Sequence, residues 1–139
     1  MSMIAREIAA ERALADAPRV AVGPGYSEAL DLALAHARAR LSLPAVVPIV
    51  WVSHRGNRGE TWWWPDGRVE VRINVADMSP RLAAWAILHE LKHVADGQQF
   101  CTRYPEAAED AANTFAFDVT ERQTQDFYRL DNGRPSGRR

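Results

Sequence analysis

The stretch from Ser79 to Gly97, SPRLAAWAILHELKHVADG, constrains this chain more than any other. A serine placed to cap, a proline at the first helical position and a glycine just past the end mark out one helix. Within it, Ile87, Leu88, Leu91 and Val94 supply a face for a core, while His89 and His93 stand four apart with Glu90 beside the first. At 3.6 residues per turn, positions i and i+4 project from one side, so both imidazoles can reach one ion. Glu90 points partly away, yet can lean over an open coordination position and act as general base toward water. This is the H-E-x-x-H pattern with its mechanism attached. The plain alternative is three polar residues on the wet side of an amphipathic helix. Two of only four histidines on that side favour ligation, because a purely solvated face more often carries Glu, Lys and Arg.

A catalytic zinc site takes three protein ligands and keeps one position open. The segment PEAAEDAANTFA offers the third. Glu109 and Asn113 are four apart and share a side with Ala112 and Ala116, whose small side chains allow a close approach to the histidine helix. Asn113 is placed to hydrogen-bond the outer nitrogen of a ligand histidine and fix its tautomer. Glu106 is the competing ligand, but an acid in a first helical turn is already explained by the helix dipole. Asn113 has no such explanation, so Glu109 is preferred. Asp96 stands either behind a histidine or simply at a helix end. Tyr104 is a candidate oxyanion stabiliser, with ordinary packing as its alternative. Cys101 reads as a small buried hydrophobe, His36 as a helix-surface residue, and His54 as a weak ligand candidate.

Along the rest of the chain, helical spacing runs through residues 3–42 in two stretches. The second, YSEALDLALAHARARLSL, has Leu30, Leu34 and Leu41 on one face. VVPIVWVS reads as a buried strand, and ETWWW, PDG and RVEVRINV read as a β-hairpin. In RVEVRINV, Val69, Val71, Ile73 and Val75 alternate with Arg68, Glu70, Arg72 and Asn74, which predicts one buried and one wet face. TWWW places Trp62 and Trp64 on one face and Trp63 on the other. Residues 105–130 read as one long final helix. The expected fold class is α+β: a small three-stranded sheet packed against the His89/His93 helix, with a glutamate-bearing helix following. A single domain is expected over residues 1–130, with N-terminal helices in 3–42, a catalytic core in 45–129, and a disordered basic tail in 131–139.

A chain of 139 residues can bury a core without staples. One cysteine leaves no internal disulfide and fits a reducing, cytoplasmic setting. The N-terminal stretch has scattered charges and no apolar run, so neither a secretory signal nor a membrane span is expected. A net charge of -1 speaks against nucleic acid as a partner.

H-E-x-x-H followed by E-x-x-x-N-x-F-A, here His89, Glu90, His93, Glu109, Asn113, Phe115 and Ala116, resembles the ImmA/IrrE family of gluzincin-type metallopeptidases. The resemblance covers roughly residues 45–120. It implies a minimal zincin-like domain, Zn2+ held by His89, His93 and Glu109, and Glu90 as the catalytic base. It also implies a peptide or protein substrate, with regulatory or repressor-type proteins the kind that family members cleave. RVEVRINV would receive that substrate by strand addition. The competing expectation is a non-catalytic interaction module with a structural or vestigial zinc site, binding through its Trp-rich hairpin.

Overall fold

The computed structural model of the protein describes residues 20–54, 56–97 and 105–132. Helix α1 (Pro24–Arg40) starts on a proline whose fixed φ suits the first turn, with Gly23 at the cap. Its most buried seam is not the leucine face expected from spacing. Ala29, Ala33 and Ala37 are fully buried, and Leu30, Leu34 and Leu41 flank them partly buried. An alanine seam has no bulk to hold a neighbouring backbone away, so α1 lies along helix α2 (Pro80–Ala95). The Tyr26 hydroxyl, donating to the Met78 carbonyl, ties the start of α1 to the entry of α2.

Three strands follow α1: β1 (Ile49–Val52), β2 (Gly59–Trp63) and β3 (Val69–Asn74). The hairpin closes where expected, on Pro65-Asp66-Gly67. The Asp66 carboxylate accepts from the Arg68 amide at 2.9 Å, and Gly67 adopts a φ of 94°. In that left-handed region a side chain would clash with its own backbone. The strand order is β1-β3-β2, with β1 parallel and β2 antiparallel to β3.

Two expectations about β3 therefore fail. It is the central strand, hydrogen-bonded on both sides, so it has no free edge for an added peptide. Its supposedly wet face is also covered, since Arg72 is 2% and Asn74 5% exposed. Alternation reports two environments, and here the second is polar rather than solvated. The Arg72 guanidinium meets Glu60 at 3.4 Å and lies 5.7 Å from the Trp62 ring. Asn74 donates to the carbonyls of His54 and Asn57 and accepts from the amides of His54 and Ala76. Those bonds hold the β1–β2 connection against the sheet. Trp63 enters the core, while Trp64 is buried beyond the end of β2 under the Arg68 guanidinium.

Helix α2 begins as expected, with Ser79 Oγ accepting from the Leu82 amide at 3.2 Å, and Gly97 (φ 67°) ends it. It packs on α1, on β2 and β3, and on the glutamate-bearing helix α3 (Glu106–Phe117). Enclosed in this way, it has almost no wet side.

The single helix expected over 105–130 is instead broken. α3 passes into a π-helical turn (Asp118–Gln123), Thr124 is extended, and a short helix α4 (Arg129–Asn132) follows. Thr120 donates its hydroxyl back to the Ala116 carbonyl at 2.9 Å, and Thr124 Oγ1 accepts from the Asp126 amide at 3.1 Å. Both side chains compete with the regular ladder. The bend carries Phe127 into the core, fully buried and 5.2 Å from the His36 ring. His36 is consequently not a plain surface residue. It is half-buried, with Nε2 3.0 Å from the Asp126 carboxylate and Nδ1 2.8 Å from the Arg40 guanidinium. The first expected helix and most of the expected tail lie outside the described residues, and α4 occupies the tail's first two positions. Among the described residues no helix is long and apolar enough to cross a membrane.

Candidate metal centre

His89 and His93 face α3 from successive turns of α2. Glu109, on the first turn of α3, meets both: its Oε1 lies 2.9 Å from His89 Nε2 and 3.5 Å from His93 Nε2. The ligand-capable atoms of these three residues lie within 4.8 Å of one another, the one such group among the described residues. The closeness of α3 follows from its composition. Ala108, Ala112 and Ala116 form its buried side, so Glu109 on the neighbouring side can span the gap.

The three residues differ in their access to water. His93 is fully buried, the His89 side chain is 12% exposed and that of Glu109 41%. The group therefore has a closed inner wall and an open outer rim. Burial and the neighbouring His93 lower the pKa of His89, while Glu109 and a hydrogen bond with Asn113 act in the opposite direction. The neutral imidazole is thereby favoured, which is the form that ligates a metal. His89 is also fixed in orientation. Its ring stacks on Trp85 at 5.2 Å and meets His93 edge-on at 4.9 Å.

A divalent ion needs several donor atoms that converge on one point. Two buried imidazole nitrogens and one carboxylate oxygen converge on a point with an open side. That nitrogen-and-oxygen donor set suits a divalent metal ion with one coordination position left open. The residues fit the ion.

Glu90 is buried beside the group, with Oε2 3.9 Å from His89 Nε2. Its Oε1 accepts a 2.6 Å hydrogen bond from the Thr61 hydroxyl of β2. Burial pushes its carboxyl up to about 7 against the opposing Thr61 bond, with Glu109 and Glu60 adding to the rise. Gly59 makes room for it, because a Cβ there would stand 3.1 Å from Glu90 Cγ and 3.2 Å from Oε2.

The other candidates fall as follows. Glu106 opens α3, is exposed and lies outside the group. Asp96 is the helix-end residue, accepting from Lys92 Nζ at 3.1 Å. Asn113 is exposed on α3 and enters only as the smallest influence raising the His89 pKa, while His89 Nδ1, the nitrogen it was expected to bond, has no hydrogen-bond partner. His54 is not in the group, and its backbone amide is engaged by Asn74. Tyr104 and Cys101 lie outside the described residues. Sequence reasoning missed Gly59, Thr61 and Trp85. Trp85 was findable, standing four before His89 on the same helical stripe. A glycine opening a strand is a recognised sign of close approach, although its target is not legible.

Comparison with family models, with curated proteins and with solved structures returned no match.

Proposed function

We propose that the protein is a zinc-dependent peptidase, with His89, His93 and Glu109 as metal ligands and Glu90 as general base. The observation that carries this reading is Glu109, which reaches both histidines of H-E-x-x-H from a separate helix. A zinc ion, when bound, supplies Lewis acidity toward a carbonyl oxygen and lowers the pKa of water. The rest falls to the chain's own groups. Thr61 occupies Glu90 Oε1, which leaves Oε2, on the side of His89, to take a proton and return it to the leaving amine. A carboxyl raised to about 7 is suited to doing both near neutral pH. The buried rings of His89 and His93 exclude water from the inner side, and the exposed rim at Glu109 admits substrate.

An extended peptide needs a strand with a free edge. β3 has none, whereas β2 is an edge strand and carries Gly59 and Thr61 against Glu90. The substrate backbone in this reading pairs with β2. In this reading the domain is a minimal zincin-like one, as the resemblance to the ImmA/IrrE family implies.

Metal content and peptide cleavage test the proposal together. The wild-type chain is expected to hold about one zinc, and His93→Ala and Glu109→Ala to lose most of it. Glu90→Gln should keep the metal and lose cleavage by at least ~100-fold. A wild-type protein that takes up no zinc on reconstitution would sink the reading.

A further inference from the structure

A cavity of about 240 Å3 opens beside Trp85, lined by Ser79, Arg81, Leu82, Trp85, Thr120 and Glu121. Its position follows from the two elements that bound it. On α2, Arg81, Trp85, His89 and His93 follow one another at four-residue steps, so the cavity continues the stripe of ligand histidines toward the helix start. On the facing side, Thr120 and Glu121 belong to the π-helical turn that continues the helix of Glu109 and Asn113. Trp85 joins the two places, since it lines the cavity and stacks on the His89 ring. A π-helical turn is a costly irregularity that tends to persist where it shapes a functional surface. This one supplies the cavity's far wall.

The lining also indicates what the cavity accepts. Each of its polar groups already has a partner within the fold. Ser79 Oγ caps α2, Thr120 donates to the Ala116 carbonyl, and Arg81 grips both oxygens of Glu121 at 2.7 and 2.8 Å. The Arg81 guanidinium is covered further by the Tyr128 ring, 4.4 Å away. The charges of Arg81 and Glu121 thus answer each other inside the protein, and the apolar surface offered to a ligand is the indole of Trp85 and the side chain of Leu82.

We infer that this cavity is the side-chain subsite next to the metal centre, selecting a leucine-like or aromatic residue beside the scissile bond, with Trp85 as its specificity-determining residue. The inference rests on the peptidase reading of the same site. A peptide whose carbonyl lies at the His89/His93/Glu109 group places an adjacent side chain against Trp85, one helical turn away.

The test uses N-acetyl amino-acid hydroxamates, which chelate zinc through one common group and differ only in the side chain. Zinc content and hydroxamate affinity are measured on the zinc-reconstituted full chain and on two variants. Trp85→Ala removes the floor, and Leu82→Trp fills the cavity from its own wall. Wild type should bind the leucine and phenylalanine hydroxamates at least ~10-fold more tightly than the glycine one. That ratio should collapse to about one in both variants, while the glycine hydroxamate still binds. Taking ratios within each protein cancels any effect of Trp85 on the metal itself, and Leu82→Trp decides the matter if Trp85→Ala fails to fold. Zinc uptake with no side-chain preference, with no hydroxamate binding, or with a preference that survives in the variants overturns the subsite and leaves the metal centre standing. Failure of the wild type to take up zinc overturns both.

Discussion

Glu90 concentrates the chemistry of single residues in this protein. It is a carboxyl held out of water by the fold, with the neutral Thr61 hydroxyl donating to it and the acids Glu109 and Glu60 nearby. Its folded pKa of about 7 stands above the ordinary 4.5. Below pH 4.5 it is protonated whether the chain is folded or not and costs nothing. Between 4.5 and about 7 the unfolded chain releases the proton and the folded chain keeps it, so stability falls as pH rises. In metal-free protein the loss amounts to roughly 3 kcal/mol at most. Glu90→Gln should abolish it, and urea titrations of both proteins at pH 4.5 and pH 8 would measure the difference. An equal pH response in the two proteins would show that the carboxyl is not buried as described. Thr61→Val removes the one hydrogen bond that lowers this pKa, so the acid limb of the activity profile should move to higher pH. Gly59→Ala acts by volume, since a methyl 3.1 Å from Glu90 Cγ must displace the carboxylate. It should reduce turnover much more than zinc content.

At the scale of elements, the alanine faces decide the geometry. α1 offers Ala29, Ala33 and Ala37, and α3 offers Ala108, Ala112 and Ala116, both sets buried. Ala112→Leu should force α3 away from α2, costing about 1–3 kcal/mol in stability and weakening zinc binding through Glu109. Equilibrium unfolding and metal competition would report the two effects separately. Helix α2 was legible from sequence to within a residue or two because its signals are local: a capping serine, a proline and a terminal glycine. The hairpin was legible for the same reason. Its neighbours were not, because the partner of β3 on its far side lies across the sheet and alternation does not count how many faces are covered. Arg72 and Asn74 therefore looked wet and are buried. The break in residues 105–130 was hidden in two threonines whose hydroxyls bond the nearby backbone, Thr120 to the Ala116 carbonyl and Thr124 to the Asp126 amide, a competition that spacing does not reveal. Glu109 was found beside the histidines because a helix of small residues lets one carboxylate reach a neighbouring helix, which spacing alone can show. Thr61 and Gly59 were not, because they reach Glu90 only through the packing of sheet on helix.

For the whole molecule, the candidate ligand set draws on two separate helices, so an ion held there would favour the folded chain over the unfolded one. Free zinc at 100 times its dissociation constant should add about 2.7 kcal/mol to stability, and a chelator should remove it. A thermal melt unchanged by chelation of the zinc-loaded protein would count against the two-helix site. The sheet order carries a separate consequence, for a chain still being made. β1 and β2 come first, but neither pairs with the other, because each waits for β3. Until Asn74 has been synthesised, Ile49–Val52 and Gly59–Trp63 remain two adhesive segments without a template. A truncation ending before Val69 should therefore be caught by chaperones or collect in inclusion bodies. One that extends through the hairpin gives both strands their partner in a single step, so the order of synthesis has a definite point at which the danger of misassembly ends.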